Sequence, residues 1–160
     1  FHGLVDQYSQ YLFGLALSLV GNWADAEDIL QETYAGAFRG FGSFKGHSSI
    51  KTWLTRILVR QVAGHYRNQA RRKVIPMELE IAAGRQRSVP SPARTADVQM
   101  DVEAAIESLS SAHREVIVLR EIKGLSYDEI AEVLGVPRGT VESRLFRARR
   151  QIKGFLGEYF

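Results

Sequence analysis

Apolar residues in this chain recur every three or four positions on both sides of one proline-bearing segment, and no stretch alternates apolar with polar residues. A period near 3.6 builds helices with one apolar face, whereas strands need a period of two. The fold class that follows is all-α. Three of the four prolines, Pro76, Pro90 and Pro92, fall in "KVIPMELEIAAGRQRSVPSPARTADV", residues 73–98, which has no sustained period. That composition predicts a flexible linker. At about 3.3 Å per residue it would reach roughly 85 Å at most. Two small helical domains, residues 1–72 and 99–160, are expected on either side.

In the first block, Leu4, Tyr8, Tyr11, Leu12, Leu15 and Leu19 form one helical stripe. Asn22 predicts an N-cap, with Asp25 at the third helical position. Ala26, Ile29, Leu30, Tyr34, Ala37, Phe38 and Phe41 form the apolar face of that second helix. Gly42–Ser49 is a loop, and Ser49 can cap a third helix whose stripe is Ile50, Trp53, Leu54, Ile57, Leu58, Val62 and Tyr66. The second block predicts four helices. "VQMDVEAAIESL" is the first and "SAHREVIVLREIKG", closed by Gly124, the second. In "SYDEIAEVLG", Ser126 and Glu129 make a capping box and Gly135 ends the helix. Pro137 fits the first turn of the last helix. A helix, a short glycine turn and a longer basic helix form a helix-turn-helix.

Several function classes are disfavoured. With no cysteine, disulfides and thiolate metal sites are out. The longest apolar run, Tyr11–Gly21, is short of the roughly 20 residues that cross a bilayer. Asp6 and no basic stretch precede it, so neither a signal peptide nor membrane insertion is expected, and a cytoplasmic location is. A phosphate-cradling glycine loop, a metal cluster and a nucleophile–base pair are all missing from the sequence. The expectation is a protein that is not an enzyme, with no catalytic residue, cofactor, metal or small-molecule substrate. His47 has no second ligand at a useful spacing, and His2, His65 and His113 read as ordinary surface or packing residues.

Charge is distributed unevenly. The net charge is only +3, yet residues 138–153 hold six basic side chains and one acid. On a helical wheel of 100° per residue, Val141, Leu145, Ala148, Ile152 and Phe155 share one buried side. Ser143, Arg147 and Arg150 oppose it, with Glu142, Phe146 and Lys153 on a shoulder. In a helix-turn-helix the first turns of the second helix enter the major groove. Arg138, Thr140, Glu142, Ser143 and Arg147 would reach base edges or nearby phosphates. Arg149, Arg150 and Lys153 lie further along and would meet phosphates. Glu142 has two readings: a hydrogen-bond acceptor for a cytosine amino group, or an intrahelical partner of Arg138 or Arg149.

"DAEDILQETYAGAFRGFGSFKGHSSIKTWLTRI" and, after the linker, "LSSAHREVIVLREIKGLSYDEIAEVLGVPRGTVESRLFRARRQI" resemble the extracytoplasmic-function group of bacterial sigma factors in the sigma-70 family. The resemblance spans nearly the whole chain. It implies that residues 1–72 bind core RNA polymerase and open the minus-ten promoter element, and that residues 99–160 read the minus-thirty-five element as duplex. Asp25, Asp28, Gln31 and Glu32 match positions that face the clamp coiled coil of the polymerase's largest subunit, and a flap contact is implied for the C-terminal domain. The loop Gly42–Ser49 matches the strand-opening loop, where Phe44, Lys45, His47, Ser48 and Ser49 supply a ring, charge and hydrogen bonds. Lys51, Thr52, Arg56 and Arg60 extend that surface, and Trp53, on the apolar stripe, reads either as core or as abutting DNA. Arg138, Gly139, Thr140, Glu142, Ser143, Arg144, Arg147, Arg149 and Arg150 are the implied minus-thirty-five set. A basic residue is commoner in the family where Glu142 stands, and Ser110 and Ser111 replace a frequent proline.

The partners implied are core polymerase, promoter DNA and an anti-sigma factor, for which Phe146, Phe155 and Phe160 offer an apolar contact. The alternative is a stand-alone helix-turn-helix regulator that binds duplex without programming polymerase. Such a regulator has no need of an acidic second helix or a strand-opening loop.

Overall fold

Seven helices, in the order that period and caps predict, make up the computed structural model of the chain, which describes residues 2–72 and 94–157. Helix α1 runs His2–Val20 and ends at Gly21, whose φ of 69° needs a residue without a Cβ. Helix α2 runs Trp23–Gly40, and the Asn22 side chain accepts from the Asp25 amide at 3.1 Å. A 3₁₀ turn, Phe41–Ser43, leads into the loop before α3, Ile50–Arg72. Ser49 caps α3 by accepting from the Thr52 amide at 3.0 Å.

The second half begins earlier than its apolar period indicates. Helix α4 spans Arg94–Ser108, so residues 94–98 of the expected linker are helical, and 73–93 lie outside the described residues. Helix α5, Ser111–Ile117, is capped by Ser110 and passes into a π turn, Val118–Ile122, rather than running on as one α-helix. Helix α6, Tyr127–Leu134, has the predicted capping box and closes on Gly135 at φ 67°. Helix α7, Arg138–Leu156, follows Pro137, which stands at the N-cap, one residue ahead of the predicted place. No strand occurs among the described residues.

The apolar faces meet as one core. Leu12, Leu15, Leu19, Ile29, Leu58 and Val62 fill the centre of α1–α3, while Val116, Leu119, Ile130, Val141 and Leu145 fill that of α4–α7. The two groups are continuous, because α6 packs along α3 and the π turn meets α1. Three predicted core residues are exposed: Phe38 by 66 %, Phe41 by 44 % and Phe155 by 38 %. Each lies toward the C-terminal end of its stripe, Phe41 already in the 3₁₀ turn that follows α2.

Candidate polymerase and nucleic-acid interfaces

Helix α7 buries Val141, Leu145 and Ala148 and turns the rest of its length outward. Arg138, Gly139, Glu142, Ser143, Arg147, Arg149 and Arg150 are exposed, and Thr140 is half-buried. Arg144 is also half-buried, and its charge acts on Glu115 of α5. Burial pushes the Glu115 carboxyl above its ordinary range despite Arg144 and Arg114.

Two of the outward arginines are held by carboxylates. Arg138 Nη1 donates to both oxygens of Asp128 at 3.2 Å, and its Nε donates to Glu142 Oε1 at 3.2 Å. The Glu142 hydrogen bond, then Asp128, raises the pKa of Arg138. Arg149 Nε donates to Glu121 Oε1 at 2.8 Å and its Nη1 to the Tyr127 hydroxyl at 3.4 Å. Glu142 thus makes an intrahelical pair with Arg138. Among the described residues, Arg147, Arg150 and Lys153 make no ion pair, so their charge faces outward. Tyr127, Glu142, Phe146, Arg149, Arg150 and Lys153 line a shallow cleft beside them, where Phe146 is 66 % exposed.

On α2 the buried stripe is Ala26, Ile29, Thr33 and Ala37. Asp28, Gln31 and Glu32 are exposed on the other side. Asp25 turns instead toward α3, where His65 Nε2 lies 3.4 Å from its carboxylate. His65, expected to be an ordinary surface or packing residue, therefore joins α3 to the start of α2. Sequence reasoning passed over Trp23. The Trp23 indole donates to Glu27 at 3.2 Å and packs edge-on against Phe13, with ring centres 4.6 Å apart. These residues with Asp28, Leu30 and Gln31 line a second shallow cleft. An exposed tryptophan next to an acidic turn was the available signal.

The loop before α3 separates its predicted residues by role. Phe44 is half-buried with its ring 4.8 Å from Trp53, which Phe41 also approaches at 6.4 Å. Lys45, His47 and Ser49 are exposed and Ser48 is half-buried. Thr52 is only 5 % exposed, and its hydroxyl accepts from Ser49 Oγ at 2.8 Å, so both residues serve the start of α3. Lys51, Arg56 and Arg60 point to solvent along α3. Lys51 Nζ rests 4.3 Å from the Tyr11 ring centre, and the Tyr11 hydroxyl bonds Thr55 at 3.1 Å. Among the described residues no cluster of three or more metal-ligating side chains occurs, and no helix is long and apolar enough to cross a membrane.

Known proteins share this arrangement. The family described as Sigma-70 region 2 matches residues 4–72, and Sigma-70, region 4 matches residues 99–152. The chain is 35 % identical to the RNA polymerase sigma-H factor of Pseudomonas aeruginosa, over 93 % of this chain and 82 % of that one. It is 35 % identical to the ECF RNA polymerase sigma-E factor of Escherichia coli, over 95 % and 84 %. Among solved structures, the sigma factor RpoE of Bartonella quintana, in complex with the anti-sigma factor NepR, superposes with a TM-score of 0.76 at 30 % identity, covering 98 % of this chain and 96 % of that one. CnrH, in complex with the cytosolic domain of CnrY, gives a TM-score of 0.72 at 26 % identity, covering 98 % and 87 %. Matched in both regions and along nearly its whole length, the chain belongs to the extracytoplasmic-function group of the sigma-70 family of RNA polymerase sigma factors.

Proposed function

We propose that this sigma factor docks on core polymerase through the acidic face of α2 and places the enzyme at promoters by reading one DNA element with each half. The carrying observation is the separation of charge on one chain: Glu27, Asp28 and Glu32 stand exposed on α2, while the exposed cations gather on α3 and α7. The acidic face suits the coiled coil of the clamp on the largest subunit, and the C-terminal half meets the flap. Complementary charge steers and orients such docking more than it tightens it.

Lys45, His47, Lys51, Arg56 and Arg60 follow the single strand opened at the minus-ten element. Phe44, packed on Trp53, backs the loop, and Ser48, Ser49 and Thr52 shape the start of α3. On α7, Arg147 and Arg150 meet the groove and its phosphates. Arg138 and Arg149 are held for DNA by their carboxylate partners, with Gly139, Thr140 and Ser143 beside them and Arg144 bracing the helix from behind. Glu142 then acts as the orienter of Arg138.

The work takes place in the cytoplasm, where polymerase and promoters are. An anti-sigma factor silences it, and the exposed Phe146 and Phe155 supply apolar contact; Phe160 lies outside the described residues. Phe146→Ala should weaken capture of that inhibitor in a pull-down, and undiminished capture refutes this contact.

Run-off transcription with purified core polymerase tests the main reading. Transcripts should appear from cognate promoters only when the chain is added. A chain that retards duplex DNA yet never programs core enzyme is a stand-alone regulator, and that result overturns the proposal.

A further inference from the structure

Complementary charge brings two protein surfaces together, but a few residues carry most of the affinity, and tryptophan and arginine are prominent among them. Helix α2 begins with such a tryptophan. Trp23 is 62 % exposed, whereas Trp53 is half-buried beside Phe41 and Phe44. Its exposure does not leave it loose. The ring packs edge-to-face with Phe13 of α1, and its Nε1 donates to Glu27 Oε1 one turn further along α2. Two contacts fix the indole and leave much of its surface open to solvent.

Trp23, Glu27, Leu30 and Gln31 stand at i, i+4, i+7 and i+8, so they form one stripe along α2 beside the buried one. With Phe13 and Asp28 they line a shallow cleft of about 460 Å³. No basic side chain lines it, and among the described residues neither Glu27 nor Asp28 forms an ion pair. Glu27 Oε1 serves the indole, which leaves the other carboxylate oxygen for a donor from outside.

An aromatic surface and negative charge therefore meet at one place that has no cation of its own. An aliphatic side chain would use the ring and waste the carboxylates. A lysine ammonium would meet the charge but has no plane to stack. A guanidinium does both, because its flat face lies on an indole while its N–H fork reaches a carboxylate.

The geometry points to an arginine receptor on α2: the open surface of Trp23, with Glu27 and Asp28 at its rim, takes one arginine side chain from a helix of the polymerase clamp. This inference rests on the docking of α2 proposed above and names the contact that holds it. The stripe suits a helical partner, since a helix lying along it reaches Leu30 and Gln31 from the same side.

Binding of the full chain to core polymerase, followed by fluorescence anisotropy, tests the receptor. Trp23→Leu keeps apolar bulk against Phe13 and removes the π surface, whereas Trp23→Phe keeps a ring. Trp23→Leu should weaken binding roughly ten-fold, the worth of one desolvated cation–π contact, and Trp23→Phe should fall between it and the parent. Both should melt near the parent temperature, because the ring is mostly exposed. Glu27→Gln keeps an acceptor for the indole and removes the charge, so it should weaken binding and flatten its salt dependence. Core polymerases with each clamp-helix arginine replaced by alanine in turn should include one whose defect is felt by the parent and not by Trp23→Leu.

The receptor is overturned if Trp23→Leu binds core like the parent, if Trp23→Leu and Trp23→Phe bind alike, or if no clamp arginine shows that coupling. Loss of capture by an anti-sigma factor with core binding intact also overturns it, because the cleft then belongs to the inhibitor. Asp28→Lys with Glu32→Lys separates this failure from that of the docking reading. If the pair leaves core binding unchanged, α2 is not the docking face; if the pair abolishes binding and Trp23→Leu does not weaken it, the face stands and the arginine site falls.

Discussion

Gly135 and Gly139 sit four residues apart at the centre of the helix-turn-helix, and alanine at each should move stability in opposite directions. Gly135 closes α6 with φ 67° and ψ 36°, in the left-handed region. A Cβ built there meets nothing within 4 Å, so the whole penalty is backbone strain. An L-residue in that region costs about 1–2 kcal/mol. Loss of unfolded-state freedom returns about 0.4–1 kcal/mol. The net for Gly135→Ala is a loss of about 1 kcal/mol, or about 2–4 °C in Tm for a chain of this size. Gly139 lies in the first turn of α7 with ordinary helical backbone and also has open space around its Cβ. Gly139→Ala should therefore gain about 0.5–1 kcal/mol from helix propensity. Urea and thermal melts followed by far-ultraviolet circular dichroism read both. Gel retardation on a minus-thirty-five duplex adds a second axis, because the Gly139→Ala methyl stands on the face proposed to meet DNA and should weaken binding while raising Tm. A Gly135→Ala protein as stable as the parent, or a destabilised Gly139→Ala protein, refutes the backbone argument.

Reversing charge on α2 with Asp28→Lys and Glu32→Lys together should cut core-polymerase affinity by ten-fold or more in fluorescence anisotropy, while duplex binding by the C-terminal half is unchanged. Glu142→Gln, which keeps an acceptor for Arg138, should raise duplex affinity evenly across a promoter library, since a carboxylate is removed from near phosphates; a change of preference at one base pair would restore the cytosine reading. Glu115 has a pKa above its usual 4.5, chiefly through burial. The native state therefore binds more protons than the unfolded chain just above that pH, and stability falls as pH rises through 4.5 toward the folded value. Glu115→Gln should flatten that fall and raise stability at neutral pH, as pH-dependent urea melts will record. Leu145→Ala, which empties a site 1 % exposed in the core behind α7, should cost about 2–5 kcal/mol and abolish duplex binding near the Tm of the variant.

Helices and caps were legible in the sequence because their causes are local. Asn22, Ser126 with Glu129, Gly124 and Gly135 each act within a few residues of their own position, and the 3.6 period marks a buried stripe without reference to what covers it. The outward placement of Arg147 and Arg150 followed from the same period. What covers each stripe depends on residues far away in the chain, and there the tertiary structure decided. It left Phe38, Phe41 and Phe155 exposed, and it buried Thr52 under Ser49. It turned Asp25 toward His65, 40 positions away, and brought Glu121 and Asp128 to Arg149 and Arg138. Helical period places a side chain on a face but says nothing of which charge from another element will meet it. The contact between Arg114 and Tyr66, 48 residues apart across the proline-bearing segment, is the extreme case, because only the packing of one half on the other brings that guanidinium to that hydroxyl.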